Sequence, residues 1–180
     1  MTIEETPLGG CFVIKPRIFE DSRGYFFETF KTSFFQGLNM NYDFIQDNES
    51  MSHKGVLRGL HYQTGASAQA KLVRVIQGSV LDVVVDVRPG SDTFGRYFKI
   101  ILSGVNKTQL LIPRGFAHGF LALENNTIFS YKCDNAYHKE SERGIIFNDK
   151  DINIDWGVSE NELLLSDKDR QLPQLRDAEL

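Results

Sequence analysis

The stretch KLVRVIQGSVLDVVVD (residues 71–86) decides the fold class. It reads as a strand, a tight turn and a second strand. In the second strand the residues alternate, so that one face carries Leu81, Val83, Val85 and Val87 and the other carries Asp82, Val84 and Asp86. Charged residues inside such apolar strands are costly to bury alone, so they must point at one another or at a ligand. A β-barrel with a polar lumen is the simplest structure that satisfies this requirement.

Two earlier stretches supply polar side chains to such a lumen. QDNES (residues 46–50) and KGVLRGLHYQ (residues 54–63) set two amides, a guanidinium, an imidazole and a phenol among strand-forming residues. We therefore expect the chain to bind a polar ligand inside a β-shell.

The rest of the chain repeats the strand pattern. Strands are predicted at residues 12–14, 24–30, 97–102, 109–112, 119–123 and 128–133, with a short helix at 32–36 closed by Gly37. After Asp151 the pattern becomes irregular, and we expect short helical turns that wrap the barrel. Many short strands at regular spacing favour a sandwich or small barrel, and no break divides residues 1–180, so one domain is expected.

Composition excludes several classes of protein. The net charge of −4 and a pI near 5.6 argue against a general binder of nucleic acid or anionic membranes. The N-terminus lacks the apolar core of a signal peptide, and no apolar run reaches membrane-spanning length. Cys11 and Cys133 have neither disulfide-scaffold nor metal-knuckle spacing, so reduced thiols and a cytoplasmic location are expected.

The segment PRGFAH (residues 113–118) resembles the second cupin motif, Pro-x-Gly-x-x-His. Together with His61 on an earlier strand, it implies an all-β, double-stranded β-helix (a cupin jelly roll) with a few short peripheral helices. Cupin metal sites usually take an His-x-His pair, a glutamate and a third histidine. Here the first motif reads His61-Tyr62-Gln63 and the whole chain has 4 histidines, so neither a metal nor another cofactor is predicted.

From end to end the chain resembles the dTDP-4-dehydrorhamnose 3,5-epimerase family. The matching blocks are Arg23-Gly24 with Glu28, Gln46-Asp47-Asn48, residues 58–63, 71–75 and 113–120, Tyr131-Lys132 and residues 165–169. The resemblance implies a cofactor-independent isomerase. Its reaction would epimerise dTDP-4-dehydro-6-deoxy-D-glucose at C3 and C5 to dTDP-4-dehydro-L-rhamnose by general acid/base transfer through an enolate.

The family's catalytic roles fall on four residues of this chain. The ketone at C4 activates the protons on C3 and C5, and His61 matches the family's general base. Asp169 matches the carboxylate that holds the imidazole. Lys71 is the candidate for stabilising the enolate oxygen, and Tyr131 resembles the proton donor on the opposite face of the ring.

Further positions match substrate contacts. A pyrophosphate calls for arginine forks or lysine charges, which Arg23, Arg58 and Lys168 would supply, and Tyr137 resembles the residue that stacks on thymine. Other substrate-contacting positions are Glu28, Gln46, Asn48, His118 and Glu142. His118 could equally be a structural cupin histidine, and Asp82 is expected to organise the basic lining without being catalytic.

The resemblance also implies a homodimer in which N-terminal strands, within residues 1–50, cross to the partner. Arg23 and Glu28 would then serve the neighbouring subunit's pocket. Three alternatives remain open: a mono-epimerase acting on a related nucleotide 4-ketosugar, a metal-dependent cupin enzyme, and a non-catalytic module that binds a sugar nucleotide.

Overall fold

The computed structural model describes residues 1–37, 40 and 42–180. Its strands are β1 Thr2–Glu5, β2 Phe12–Lys15, β3 Phe19–Asp21, β4 Gly24–Phe26, β5 Gln46–Ser52, β6 Leu57–Gln63, β7 Lys71–Gln77, β8 Ser79–Asp86, β9 Tyr97–Ser103, β10 Gln109–Ile112, β11 Phe116–Ala122, β12 Thr127–Cys133 and β13 Glu142–Gly144. The helices are α1 Thr32–Gln36 and α2 Asp167–Arg170, and short 3-10 turns occur at Gly65–Ser67, Lys139–Ser141, Glu160–Glu162 and Leu175–Asp177.

Two facing antiparallel sheets form the body of the molecule. One has six strands in the order β1-β2-β10-β7-β12-β5, and the other has five in the order β13-β6-β11-β8-β9. This arrangement confirms the predicted all-β jelly roll with short peripheral helices. β7 lies in one sheet and β8 in the other, so the turn between them at Gly78 links the two layers.

The predicted alternation along β8 is present, and its two faces pack into different hydrophobic clusters. Val80 and Val84 face the space between the sheets, where they pack with residues of β7, β10, β11 and β12. Leu81, Val83 and Val85 face the other way and pack under the C-terminal segment, including Trp156 and Leu175. The five-stranded sheet is therefore covered on both faces, and the C-terminal segment is fixed against it.

The outer face of the six-stranded sheet is covered by an aromatic cluster from the segment around α1. Phe35 packs on Ile14, Leu72 and Leu111, and Phe30 stacks on it with ring centroids 5.4 Å apart. This cluster explains why the predicted strand at 24–30 is wrong beyond Phe26. The β3–β4 hairpin pairs only with itself within the described residues, and the chain then leaves it to bury Phe30.

Other local predictions needed correction. β11 begins at Phe116 rather than at residue 119, so His118 lies inside a strand and not before it. Gly37 follows α1 with φ −62°, a right-handed conformation, so the glycine is not a left-handed helix cap.

No helix in the described part of the chain is long and apolar enough to cross a membrane. Cys11 and Cys133 are both free and buried.

Candidate active site

A cavity of about 300 Å³ lies between the two sheets. It is lined by Ser50, Arg58, His61, Lys71, His118, Gly119, Phe120, Phe129, Tyr131, Ser166, Lys168 and Asp169. A second cavity of about 180 Å³ is also lined by His61, Lys71 and Tyr131, together with Gln46, Asn48, Tyr62, Gln63, Gln69, Cys133, Tyr137 and Glu142. The four residues with predicted catalytic roles thus share the first cavity, and three of them also line the second.

His61 and Asp169 form a close pair although 108 residues separate them. Nε2 of the imidazole lies 2.6 Å from Oδ1 of the carboxylate. An ionised carboxylate only accepts hydrogen bonds, so Nε2 carries the proton and Nδ1 is the nitrogen left to accept another. Burial raises the pKa of Asp169, but the hydrogen bonds from His61 and Ser166 outweigh it and hold this pKa below its ordinary value. The pair is therefore an ionised carboxylate that steadies an imidazole.

The short helix α2 fixes the orientation of Asp169. Ser166 is its N-cap, and its hydroxyl accepts the Asp169 backbone N–H at 3.1 Å. The same hydroxyl donates to Oδ2 of Asp169 at 2.8 Å. Ser166 thus holds the second carboxylate oxygen while the first contacts His61.

Lys71 and Tyr131 stand on the neighbouring strands β7 and β12. The Lys71 ammonium lies 6.0 Å from the centroid of the Tyr131 ring. Burial lowers the pKa of Lys71 and raises the pKa of Tyr131. Lys71 is therefore a stronger acid than an exposed lysine, and Tyr131 keeps its phenolic proton well above neutral pH.

His118 forms a second imidazole–carboxylate pair with Asp82. Nε2 of His118 lies 2.9 Å from Oδ2 of Asp82, and Asp82 is fully buried. The ring of His118 stacks on Phe129, which in turn stacks on Phe120 with centroids 4.2 Å apart. These two phenylalanines make an apolar wall in an otherwise polar cavity.

Two glycines allow β6 and β11 to approach closely beside the histidines. Gly59 has φ +124°, and a Cβ on it would lie 2.6 Å from Cα of Gly119. The register of the two strands also shifts between His118 and Phe120. A side chain at Gly59 would push the strands apart where they carry the two imidazoles.

At the cavity mouth, Glu142 contacts Lys168 and Tyr137, two residues that the sequence predicts to bind the nucleotide. Its Oε2 accepts from Lys168 Nζ at 2.6 Å and from the Tyr137 hydroxyl at 2.9 Å. Burial raises the pKa of Glu142, but these hydrogen bonds outweigh it and hold the pKa below its ordinary value. Lys168 is thus paired with a protein carboxylate.

Three further predicted contact residues, Arg58, Gln46 and Asn48, also line the cavities. Arg58 donates to Ser52 Oγ at 3.1 Å and to the Met51 carbonyl at 3.3 Å. Gln46 donates to Asn48 Oδ1 at 2.9 Å. Arg58 lines the first cavity, and the two amides line the second.

Arg23 and Glu28 line neither cavity. Arg23, at the tip of the β3–β4 hairpin, is exposed and pairs with Asp21 at 2.6 Å. Glu28 pairs with Lys31 at 3.3 Å. Within one chain these two residues are not brought to the site.

Sequence reasoning missed several residues that the structure places in the cavities. Ser166 belongs to the block at residues 165–169, and its spacing to Asp169 is a recognisable capping signal. Gln63 ends the block at residues 58–63 and carries a buried amide. Phe120, Phe129 and Cys133 gave no signal of their own, because strand residues of these types usually form the core. Within residues 1–37, 40 and 42–180, no three His, Cys, Asp or Glu side chains are grouped so that they could hold a metal ion.

Comparison with known proteins identifies the family of this chain. The model of the family described as dTDP-4-dehydrorhamnose 3,5-epimerase matches residues 5–177. The dTDP-4-dehydrorhamnose 3,5-epimerase of Escherichia coli is 49% identical over 173 residues, which cover 96% of this chain and 93% of that protein.

Solved structures agree. The crystal structure of the Elizabethkingia anophelis dTDP-4-dehydrorhamnose 3,5-epimerase is 50% identical, with a TM-score of 0.94 over 98% of this chain and 97% of that one. The dTDP-6-deoxy-D-glucose-3,5-epimerase of Legionella pneumophila, solved in complex with dTDP-4-keto-L-rhamnose, is 46% identical, with a TM-score of 0.94 over 98% of this chain and 93% of that one. The chain therefore belongs to the dTDP-4-dehydrorhamnose 3,5-epimerase family of isomerases.

Proposed function

We propose that the chain epimerises dTDP-4-dehydro-6-deoxy-D-glucose at C3 and C5 to dTDP-4-dehydro-L-rhamnose, with its own side chains as acid and base. One observation carries this proposal: Nε2 of His61 lies 2.6 Å from Asp169 in a cavity also lined by Lys71 and Tyr131. These groups supply what proton transfer beside a carbonyl requires: a held base, a donor for the enolate oxygen and a separate acid.

The first step is removal of a proton from a carbon next to the C4 ketone. Nδ1 of His61 accepts this proton, and the resulting imidazolium is stabilised by the ionised Asp169. An imidazole can both take a proton from carbon and later release it to solvent.

The electron pair left on carbon moves onto the ketone oxygen and forms an enolate. Lys71 donates to this oxygen, and its partial burial makes the interaction stronger than it would be in water. His118 lines the same cavity and is fixed by Asp82, which supports a role in holding the sugar.

Inversion then requires a proton from the opposite face of the ring. Tyr131 supplies it, since return of the same proton by His61 would regenerate the starting sugar. The tyrosinate regains a proton from solvent and His61 loses one, so each inversion leaves the protein unchanged and introduces one solvent hydrogen at the inverted carbon.

The nucleotide end is bound at the cavity mouth. Arg58 and Lys168 are the cations for the diphosphate, and Tyr137 offers an exposed ring for the base. In this account the diphosphate replaces Glu142 as the partner of Lys168. Gln46, Asn48, His118 and Glu142 provide the remaining polar contacts.

We further propose that residues 1–180 form one domain that acts as a homodimer. Because β1, β2 and β5 pair within the chain's own sheet, the N-terminal element that would cross to the partner is the β3–β4 hairpin. Arg23 and Glu28 then complete the partner's site, which accords with their position outside the cavities of their own chain. The exposed Phe19, Tyr25 and Phe26 of the β3–β4 hairpin support this, because exposed aromatic residues favour an interface. Two buried free thiols fit a reducing cytoplasm.

The reaction is tested by incubating the protein with dTDP-4-dehydro-6-deoxy-D-glucose and determining the product configuration by NMR. We expect inversion at both carbons. Inversion at C3 alone would make the protein a mono-epimerase, and nucleotide binding with no change in the sugar would contradict catalysis.

The exchanged dimer is tested separately by mixing Arg23→Ala and His61→Ala subunits after dissociation. Each variant alone should be inactive, and hybrids should regain partial activity because one site then has an intact His61 and the partner's Arg23. Hybrids as inactive as the parents would contradict this contribution from the partner.

A further inference from the structure

The loop at residues 134–138, which presents Tyr137, is held by side-chain amides from outside the loop. Gln63 Nε2 donates to the Ala136 carbonyl at 3.1 Å, and Gln63 Oε1 accepts the His138 backbone N–H at 2.6 Å. Gln46 Oε1 accepts the backbone N–H of Tyr137 at 3.1 Å. Three consecutive loop residues are thus fixed through their main chain.

The side-chain amide of Gln63 is occupied by hydrogen bonds within the protein, so it is not a ligand-binding group. Its Nε2 also donates to the Ser67 carbonyl at 2.7 Å, so both of its N–H hydrogens are used within the protein. The side chain is 7% exposed. A buried amide that lost these partners would leave polar groups unpaired, so its position is strongly determined.

Tyr137 has little packing of its own to determine where its ring lies. It is 54% exposed, and its hydroxyl contacts Glu142. The position of the ring therefore depends on the backbone that carries it, and that backbone is tied to Gln63 and Gln46.

Gln63 also connects this loop to the base. It lies two residues after His61 on β6, so both side chains project from the same face of the strand into the second cavity. One strand therefore sets the separation between the imidazole and the loop that carries the aromatic ring.

We propose that Gln63 is a positioning residue that holds Tyr137 at a fixed distance from His61, so that the nucleotide base and the reacting sugar are aligned together. This inference rests on the proposed function, in which Tyr137 stacks on the base. It assigns Gln63 an effect on binding of the nucleotide and none on proton transfer itself.

The test compares the wild type with Gln63→Met, Tyr137→Ala and the double variant. The dissociation constant of dTDP is measured by calorimetry, and kcat and KM are measured with the 4-ketosugar nucleotide. We expect Gln63→Met to weaken dTDP binding and raise KM by roughly tenfold, with kcat within about threefold of the wild type. Because both changes act on one ring, the double variant should bind dTDP no more than about twofold more weakly than Tyr137→Ala.

Gln109→Met is the matched control. Gln109 is 1% exposed and donates to the Thr29 carbonyl at 2.9 Å, but it lines neither cavity of the site. This variant should bind dTDP like the wild type even if it loses stability. If Gln63→Met does not fold, Gln69→Met replaces it, since Gln69 makes a single 2.8 Å hydrogen bond to the Asn135 carbonyl of the same loop. The dissociation constant of dTDP should then rise roughly threefold.

Three results would overturn the inference. The first is an unchanged dTDP affinity in Gln63→Met, or in Gln69→Met if that variant is used. The second is a double variant in which the losses of dTDP affinity multiply. The third is a loss of dTDP affinity in Gln109→Met as large as that in Gln63→Met. A wild type that binds no dTDP and converts no sugar would instead refute the proposed function, so the two failures are distinguishable.

Discussion

His61 and His118 lie directly opposite each other on β6 and β11, yet each imidazole is held by a different aspartate. The His61 side chain is 28% exposed and its carboxylate comes from a helix near the C-terminus. The His118 side chain is 8% exposed and its carboxylate lies inside β8. The first imidazole is therefore more open to solvent than the second, whose carboxylate lies inside the sheet.

Asp169→Asn should leave the cavity intact but lower kcat by about 10²–10⁴-fold. The amide can no longer stabilise an imidazolium, and it can present its N–H to Nε2, which would place the ring proton on Nδ1. Steady-state kinetics with the 4-ketosugar nucleotide measure the effect. Asp167→Asn on the same helix is the control and should remain within about threefold of the wild type, since Asp167 lines neither cavity. A loss below tenfold in Asp169→Asn would argue against this role.

Tyr131→Phe should separate proton removal from inversion. The base and Lys71 remain, so C3 and C5 should still exchange with solvent, while the inverted product should form at least about 10²-fold more slowly because its proton donor is missing. NMR in D2O follows both quantities in one sample. Tyr97→Phe, on a strand outside the cavity, should alter neither. Equal loss of exchange and inversion in Tyr131→Phe would mean that His61 and Tyr131 do not have the separate roles of base and proton donor.

Asp86 is expected to stabilise the fold in a pH-dependent way, far from the chemistry. Burial raises its pKa, but hydrogen bonds from Arg88, Ser91 and Thr93 outweigh this and place the pKa far below the ordinary value of 3.8. Its contribution is therefore complete above pH 3.8 and is lost as the pH falls toward the lowered folded-state pKa.

Asp86→Asn should accordingly reduce the free energy of unfolding at pH 7 by about 2 kcal/mol. The difference from the wild type should shrink as the pH is lowered below 3.8. Urea unfolding at several pH values measures it. Asp47→Asn, which removes an exposed pair with Lys132, should change stability by less than about 1 kcal/mol. A difference that grows on acidification would contradict the assignment.

The parts of the structure that local sequence patterns determine could be predicted. Alternation along β8 predicted which valines face each hydrophobic cluster, because a strand has a fixed period of two. The Asp82 and Asp86 carboxylates were correctly expected to need partners, and each has one at hydrogen-bond distance. The pairing of His61 with Asp169 came from family resemblance, since no local pattern connects residues 108 positions apart.

What could not be predicted depends on tertiary contacts. The strand expected to run to Phe30 stops at Phe26, because burial of Phe30 against Phe35 and Phe44 overrides the β preference of the aromatic residues. β13 has only three residues and is defined by its pairing with β6. The contacts of Gln63 with the loop that carries Tyr137 were likewise invisible, because that loop is more than seventy residues away in sequence.

Deuterium incorporation at C3 and C5 tests the central claim most directly. The wild type and His61→Asn are each incubated with dTDP-4-dehydro-6-deoxy-D-glucose in D2O, and both carbons are followed by NMR. We predict deuterium at both carbons with the wild type and none above the uncatalysed rate with His61→Asn, although this variant should still bind dTDP. Exchange by His61→Asn at the wild-type rate would show that another group is the base.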